Sequence, residues 1–559
     1  MGKFLNSKKA SLLYKDDAEA AYFVDKTLLL DELIQIIDPQ IPAGDAQNNE
    51  EIYSGRSGKY ICITRPRRFG KSVMANMIAA YFGKDRDTRP IFDKLAVGTR
   101  SWYQSHINQH NVIHIAFNSL PVDCISYRQY IQRIHRHLMR DLVQAYPNVG
   151  IEEDGALWDA LNDILEFEAN DTKFIFVLDE WDFIFHRDFV TDRDRTEYID
   201  FLSNLLKDQP YVEFAYMTGI LPIAKYSSGS ELNMFLEYTM ASEERFSGFF
   251  GFNETEVDML FDRYRMLTER PMVTREGLRI WYNGYHTKGG ERLYNPRSIV
   301  ASLTNNNLGN YWTSAGPYDE IFYYIRHNIA AVRDDLALMV SGISVRANIR
   351  EYAAISMNLT TRDEIFSAMV IYGFLSYENG YVSIPNRELM DKFDNMLQKE
   401  PLLGYIYQLA RKSEQMLRAT LENDIVSMNE ILEFTHNTEI PLLSYNNETD
   451  LTAVVNLVYL AARDYYRIER EDKAGTGYVD FIFYPEVDRN ADGIILELKV
   501  DRTPEEALQQ IRDKKYVLKF EGKTGERMRY TGRILGVGIA YDKKTKVHSC
   551  KIEVLREKR

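Results

Sequence analysis

Between Lys59 and Thr218 four short apolar runs, KYICIT, VIHIAF, KFIFVL and VEFAYMT, alternate with longer segments of helical periodicity. Strands spaced by helices in this way predict a parallel sheet covered by helices on both faces. Such a sheet binds ligands at the C-terminal ends of its strands, so chemistry is expected in the residues just after each run.

The first run leads into RPRRFGKSVMANMIAAYF, in which Val73, Met74, Met77, Ile78, Tyr81 and Phe82 recur on one helical face. Strand, loop and helix are the context in which a Gly-Lys-Ser triplet grips phosphate. Gly70 lets the backbone curl around an anion, Lys71 reaches the outer phosphates, and the Ser72 hydroxyl holds magnesium at the helix N-terminus. The usual pattern begins with glycine five residues before the last one; Arg65 stands there instead, followed by Pro66, Arg67, Arg68 and Phe69. The expected nucleotide contacts are Arg68, Phe69, Gly70, Lys71 and Ser72. Arg65, Arg67 and Arg68 either add charge to the phosphate cradle, pair with acids, or are solvated.

A second half of the site is expected where KFIFVL ends in Asp179 and Glu180. Asp179 suits magnesium coordination, and Glu180 suits orienting or deprotonating an attacking water. Thr218, closing the fourth run, has the place of a polar sensor between the two motifs, although a strand-terminal threonine also serves simply as a turn former. Arg245 is a candidate arginine finger.

Near the C-terminus YVDFIFYPEVDRNADGIILELKV reads as a hairpin. Glu497 and Lys499 lie two apart and share a face, and Asp480 sits on the facing strand. Two carboxylates and an ammonium on otherwise apolar strands are costly unless paired or bound to metal. Asp480 and Glu497 are therefore candidate magnesium ligands, with Lys499 steadying charge on a phosphate. A hairpin with a surface Asp and a Glu–Lys pair would look the same. Arg502, Arg512, Lys514, Lys515, Lys519, Lys523, Arg527, Arg529 and Arg533 follow the second strand and suit phosphate tracking or plain solvation.

The motifs YFVDKTLLLDELI, ITRPRRFGKSVMANMIAAYF, FVLDEWD, MTGILPIAKYSSGSELNMF, GFNETEVDML, WYNGYH and LYNPRSIV, in this order, resemble the bacterial predicted AAA-ATPase-like proteins that carry a C-terminal PD-(D/E)xK nuclease domain. The resemblance implies ATP as the nucleotide, an arginine-rich loop as a family trait, and a hallmark pair Asp25-Lys26 near the nucleotide. The hairpin resembles that of the PD-(D/E)xK nucleases, with Val479-Asp480 in place of Pro-Asp. That likeness adds Glu448 as a further metal-contacting glutamate and Gln510, followed by Tyr516, as the glutamine of the nuclease helix; Gln509 competes for that place.

At 559 residues the chain exceeds one core. The expected fold class is α/β multidomain: a P-loop NTPase parallel sheet with a helical lid, a winged-helix-like unit and a C-terminal restriction-endonuclease-like α/β domain. The expected segments are 1–245, 246–347, 348–400 and 401–559. The Asn379-Gly380 pair between two alternating runs is the turn signal of the winged unit. A net charge of −14 confines any nucleic-acid surface to a local patch. Three scattered cysteines suit a reducing compartment, and the lack of an apolar run near ~20 residues suits a cytoplasmic protein without a membrane span. The function expected is an ATP-binding and ATP-hydrolysing protein coupled to Mg²⁺-dependent cleavage of nucleic acid, DNA first, with homo-oligomerisation possible. An NTP-dependent signalling or scaffold ATPase, whose nuclease-like domain binds nucleic acid or a partner without cutting, is the alternative.

Overall fold

The four apolar runs form strands β1 (Tyr60–Thr64), β2 (Asn111–Ala116), β3 (Phe174–Asp179) and β4 (Val212–Gly219). A fifth, β5 (Leu236–Tyr238), was not anticipated; the order is β2-β3-β4-β1-β5 and every pairing is parallel. The computed structural model describes residues 2–41, 56–84, 86–168, 172–223, 231–240, 244–312, 329–340, 342–349, 359, 361–399, 405–437, 448–474, 477–485, 490–518, 520 and 532–558.

Both faces of this sheet are dry, as an α/β sheet requires. On one side Ile61, Ile63, Ile175, Val177, Phe214 and Tyr216 pack with Met74, Met77, Ile78 and Tyr81 of the helix Lys71–Phe82. On the other, Cys62, Phe176, Leu178, Ala215 and Met217 pack with Tyr130, Leu138 and Leu142 of the helix Tyr127–Ala145 and Leu202 and Leu206 of the helix Asp192–Leu206. Each fully buried aliphatic or aromatic side chain contributes roughly 1.5–3 kcal/mol, so the layers are held by area more than by any single contact.

The chain divides into two compact units: Met1–Pro317 with Ala347–Gly380 and Pro385–Glu388, and Tyr318–Arg346 with Tyr381–Ile384 and Leu389–Arg559. In the first, the parallel sheet is followed by the helices Glu254–Leu267, Arg275–Tyr282 and Pro296–Asn305. WYNGYHTKGGERLYNPRS, which interrupts them, makes a small antiparallel ribbon of β6 (Tyr285–His286) and β7 (Arg292–Leu293). The first helix starts on a capping box, Asn253 with Glu256.

In the second unit β8 (Val345–Arg346) pairs with β10 (Tyr381–Ser383), which follows β9 (Ser376–Glu378) of the first unit after Asn379 and Gly380. Those two residues have φ of 51° and 89°, the left-handed values that a tight Asn-Gly turn demands. The C-terminal part of the unit is a mixed five-stranded sheet, β11 (Tyr466–Ala474), β12 (Gly477–Pro485), β13 (Gly493–Val500), β14 (Ile534–Asp542) and β15 (Val547–Arg556), in sequence order. Only β13–β14 is parallel, and the helix Pro504–Asp513 makes that crossover. The architecture is thus α/β and multidomain. Cys62, Cys124 and Cys550 are free thiols. Among the described residues no helix is long and apolar enough to cross a membrane.

Candidate functional site

The loop after β1 is shaped by two left-handed residues, Arg68 at φ 69° and Gly70 at φ 88°. Nothing lies within 4 Å of where a Cβ on Gly70 would sit. Glycine is therefore required there by backbone conformation and not by space. Lys71 opens the helix and is buried, its Nζ donating to Arg65 O at 2.8 Å and Pro66 O at 2.9 Å. Burial lowers its pKa to about 8, against the opposing pull of Asp182, Glu180 and Asp179.

Register explains what stands beside it. Asp179 is opposite Thr218, and Thr218 opposite Ile63, so the ends of β3, β4 and β1 meet at one edge. Ser72 hydrogen-bonds the Asp179 carboxylate, whose buried Oδ1 has no hydrogen-bond partner among the described residues. Burial raises Asp179 to about 6, with Glu180 adding to the rise. Thr218 is fully buried and its Oγ1 also lacks a partner. Glu180 follows with φ 54° and is half-buried. An orphaned carboxylate oxygen beside a serine hydroxyl and an ammonium fits a hydrated magnesium ion and a phosphate.

Four expectations change. Arg65 is only 1% exposed, so its side chain is neither solvated nor paired with an acid: Nη1 donates to Thr64 O and Tyr238 O, each at 2.8 Å, and the guanidinium lies 5.1 Å from the Phe250 ring centroid. Phe69 is buried with its ring set edge-on to Tyr285 at 5.0 Å, which commits the side chain to packing. Arg245 donates to Glu32 at 3.1 Å and lies over the Phe246 ring, contacts within its own chain that do not suit a finger. The pair Asp25-Lys26 is a structural clip: Asp25 accepts from Thr27 and from Ala96 N, and Lys26 binds Gly248 O and Glu256. None of those partners belongs to the phosphate loop.

One residue of this edge was missed. Asp182, 3% exposed, accepts from Ile220 N at 2.9 Å and Leu221 N at 2.8 Å, fastening the exit of β4 to that of β3. A Cβ on Gly219 would come within 2.7 Å of its Oδ1, so only glycine admits the contact. The signal was the second acid of DEWD.

In the terminal sheet β12 and β13 are antiparallel with Phe481 opposite Leu496, which brings Asp480 to Glu497 one step on. Asp480 Oδ2 accepts from Leu498 N at 2.7 Å. Glu497, 2% exposed, accepts through Oε1 from Lys499 Nζ at 3.1 Å and from Gln510 Nε2, while its buried Oε2 has no partner among the described residues. Burial first, then the charge of Asp480, pushes Glu497 up to about 7 against the pull of Lys499. Lys499, buried as well, also donates to Leu498 O at 2.9 Å.

The helix Pro504–Asp513 that carries Gln510 can lie this close because Gly538 is opposite Glu497; a Cβ there would be 2.3 Å from Pro504 O. Tyr516 hydrogen-bonds Gln510. Gln509 instead donates to Asp513 at 2.6 Å, so of the two glutamines it is Gln510 that meets Glu497. Glu448 opens the helix Glu448–Val458, and its side chain lies outside the described residues. Among the described residues no group of three or more His, Cys, Asp or Glu is arranged to hold a metal. Asp480 and the orphaned oxygen of Glu497 are still a fit for magnesium, which commonly takes one or two carboxylates and keeps several waters.

Two members of the basic stretch are paired with acids. Arg512 pairs with Glu553 and Arg533 with Asp492. Lys519, Lys523, Arg527 and Arg529 lie outside the described residues.

These two clusters coincide with two recognised domains. Residues 53–228 match the predicted AAA-ATPase (AAA-ATPase-like) family, and residues 447–549 match the PD-(D/E)XK nuclease superfamily. The chain therefore combines an AAA-ATPase-like domain with a C-terminal domain of the PD-(D/E)XK nuclease superfamily. An uncharacterized protein encoded in the vnfD 5' region of Azotobacter chroococcum mcd 1 is 25% identical over 526 residues, 88% of this chain and 91% of that protein. Among solved structures, the Walker-type ATPase PABY2304 of Pyrococcus abyssi is 12% identical, with a TM-score of 0.33 over 64% of this chain and 99% of that one.

Proposed function

We propose that the protein binds and hydrolyses ATP with Mg²⁺ at the edge formed by β1, β3 and β4, and cuts nucleic acid, DNA first, at a Mg²⁺-dependent site on β12 and β13. The carrying observation is the cluster in which the buried Glu497 and Lys499 meet the half-buried Asp480 and Gln510, and in which one Glu497 oxygen has no donor among the described residues. Burying an unsatisfied carboxylate oxygen costs stability, and a site keeps that cost when an ion or substrate offsets it.

Asp480 and Glu497 would hold the ion of the second site; Ser72 and Asp179 would hold that of the first. Bound magnesium supplies Lewis acidity and a water of lowered pKa. At the first site Lys71 leaves the carbonyls of Arg65 and Pro66 to meet the outer phosphates, Glu180 accepts the proton of the attacking water, and Thr218 senses the end of the chain of phosphates. At the second, Lys499 holds the scissile phosphate and Gln510 keeps Glu497 in place. On this reading residues 1–245 form the ATPase core, 246–347 its lid, 348–400 a winged-helix-like unit and 401–559 the nuclease domain. Nucleotide state controls access of the polymer to the cutting site, in one chain or in a homo-oligomer.

The test is cleavage of DNA and RNA by purified protein in Mg²⁺ or Mn²⁺, alongside Glu497→Ala and Lys499→Ala. Loss of cutting in both variants supports the reading. A folded wild type that binds polymer and never cuts it favours the non-cutting alternative, and equal cutting by all three proteins points to contamination.

A further inference from the structure

A cation buried without an acid needs a reason, because desolvating it is costly. Arg65 is such a residue: among the described residues its only side-chain hydrogen bonds are the two from Nη1 to carbonyls, and its Nε and Nη2 have none. Burial lowers its pKa only to about 10, so it is still charged at neutral pH.

Its backbone and side chain point to different jobs. The Arg65 N–H continues the β1–β4 ladder onto Gly219 O at 3.2 Å, and its carbonyl receives Lys71 Nζ. The side chain leaves the loop, reaches the last residue of β5 at Tyr238 O, and stacks on Phe250. Tyr238, Phe246 and Phe250 belong to one buried core cluster, in which the Tyr238 ring meets Phe246 edge-on at 4.8 Å. The same turn touches the loop again at its far end, where Gly251 N donates to Phe69 O at 3.4 Å. The φ of Gly251 is 85°, and a Cβ on it would crowd Phe69 at 3.3 Å.

We infer that Arg65 is a positioning residue of the nucleotide site: its buried side chain fastens the phosphate loop to β5 and to the turn Phe246–Gly251, in the place where such loops usually have a permissive glycine. The lysine that must turn toward phosphate is held by the carbonyl of the residue whose side chain grips that turn. Movement of Lys71 is therefore felt at Phe250, and the turn passes it to Tyr294 through Phe252 N, bonded at 3.1 Å. This inference rests on the nucleotide reading above, and it predicts that restoring glycine at position 65 weakens the site.

The test measures binding of an ATP analogue with Mg²⁺ to the full chain as wild type, Lys71→Met, Arg65→Gly, Arg65→Lys and Phe250→Leu. Amide exchange of residues 246–252 is followed with and without the analogue. Expected are loss of binding in Lys71→Met, about tenfold weakening in Arg65→Gly, equivalent to ~1.4 kcal/mol, and smaller losses in Arg65→Lys and Phe250→Leu. Saturating analogue changes exchange at 246–252 in the wild type and not in Arg65→Gly, a response that mere loosening of the fold does not remove. If Arg65→Gly does not fold, Phe250→Leu and Arg65→Lys carry the same comparison. Arg65 variants that bind and respond like the wild type, with Lys71→Met inactive, overturn this inference alone. Wild-type binding by Lys71→Met overturns the nucleotide reading itself.

Discussion

Replacing Lys71 by methionine should make the nucleotide-free protein more stable at neutral pH while removing its nucleotide site. The ammonium is 7% exposed and burial lowers its pKa from 10.5 to about 8. A depressed pKa means that the group's stabilising contribution is present above the unfolded value and lost as pH falls through the folded one. Each unit is 1.36 kcal/mol, so the charged lysine costs the fold ~3 kcal/mol at pH 7, an order-of-magnitude figure. Methionine removes that cost and strands the carbonyls of Arg65 and Pro66, at about 1 kcal/mol each. The variant should then gain ~1 kcal/mol at pH 7, or a few degrees in Tm for a domain of this size. Between pH 8 and 10.5 the gain should shrink and reverse, since the wild-type lysine discharges and keeps its hydrogen bonds. Thermal unfolding of both proteins from pH 7 to pH 10 without nucleotide checks the sign, and a repeat with ATP analogue and Mg²⁺ should raise Tm in the wild type only. A variant less stable than the wild type at pH 7, by an amount that does not change with pH, would refute the reasoning.

Three further outcomes follow from the same geometry. Glu180→Gln should keep ATP binding and lower steady-state hydrolysis by roughly 10²-fold or more, the scale of a lost general base, measured as phosphate release. Gly538→Ala should destabilise the terminal domain by roughly 1–3 kcal/mol, because its Cβ would meet Pro504 O at 2.3 Å; chemical unfolding checks the stability, and cleavage should fall as Gln510 is pushed from Glu497. Glu497, raised to about 7 by burial and Asp480, should make metal-free stability fall as pH rises from ~4.5 to ~7, and added Mg²⁺ should flatten that fall; unfolding midpoints across this window in wild type and Glu497→Ala read it directly.

Much of the first sheet was legible because β1 to β4 are mostly apolar, the pattern of strands buried on both faces. β5 escaped because three residues, Leu236, Glu237 and Tyr238, carry no period. β11 and β15 escaped as edge strands whose polar alternation, as in VHSCKIEVLR, resembles a loop. At the candidate sites, local motifs singled out Lys71, Ser72 and Asp179, and Asp480, Glu497 and Lys499, which the fold brings together in two clusters; short spacings such as Gly-Lys-Ser and Glu-x-Lys made them visible. Burial of Arg65 was not legible: its partners Tyr238 and Phe250 lie more than 170 residues away. An arginine beside two others reads as surface until the fold brings an aromatic ring and a carbonyl to it. The same distance hid the pairing of Arg245 with Glu32.

On the proposed function, two separate divalent-ion sites serve phosphate chemistry in one chain. Titration of Mn²⁺ into the full protein, followed by calorimetry or electron paramagnetic resonance, tests it most directly. The account predicts one site that appears only with ATP analogue and vanishes in Lys71→Met, and a second, independent of nucleotide, that vanishes in Glu497→Ala. A wild-type protein with no nucleotide-independent Mn²⁺ site, or one whose site survives in Glu497→Ala, would contradict the claim.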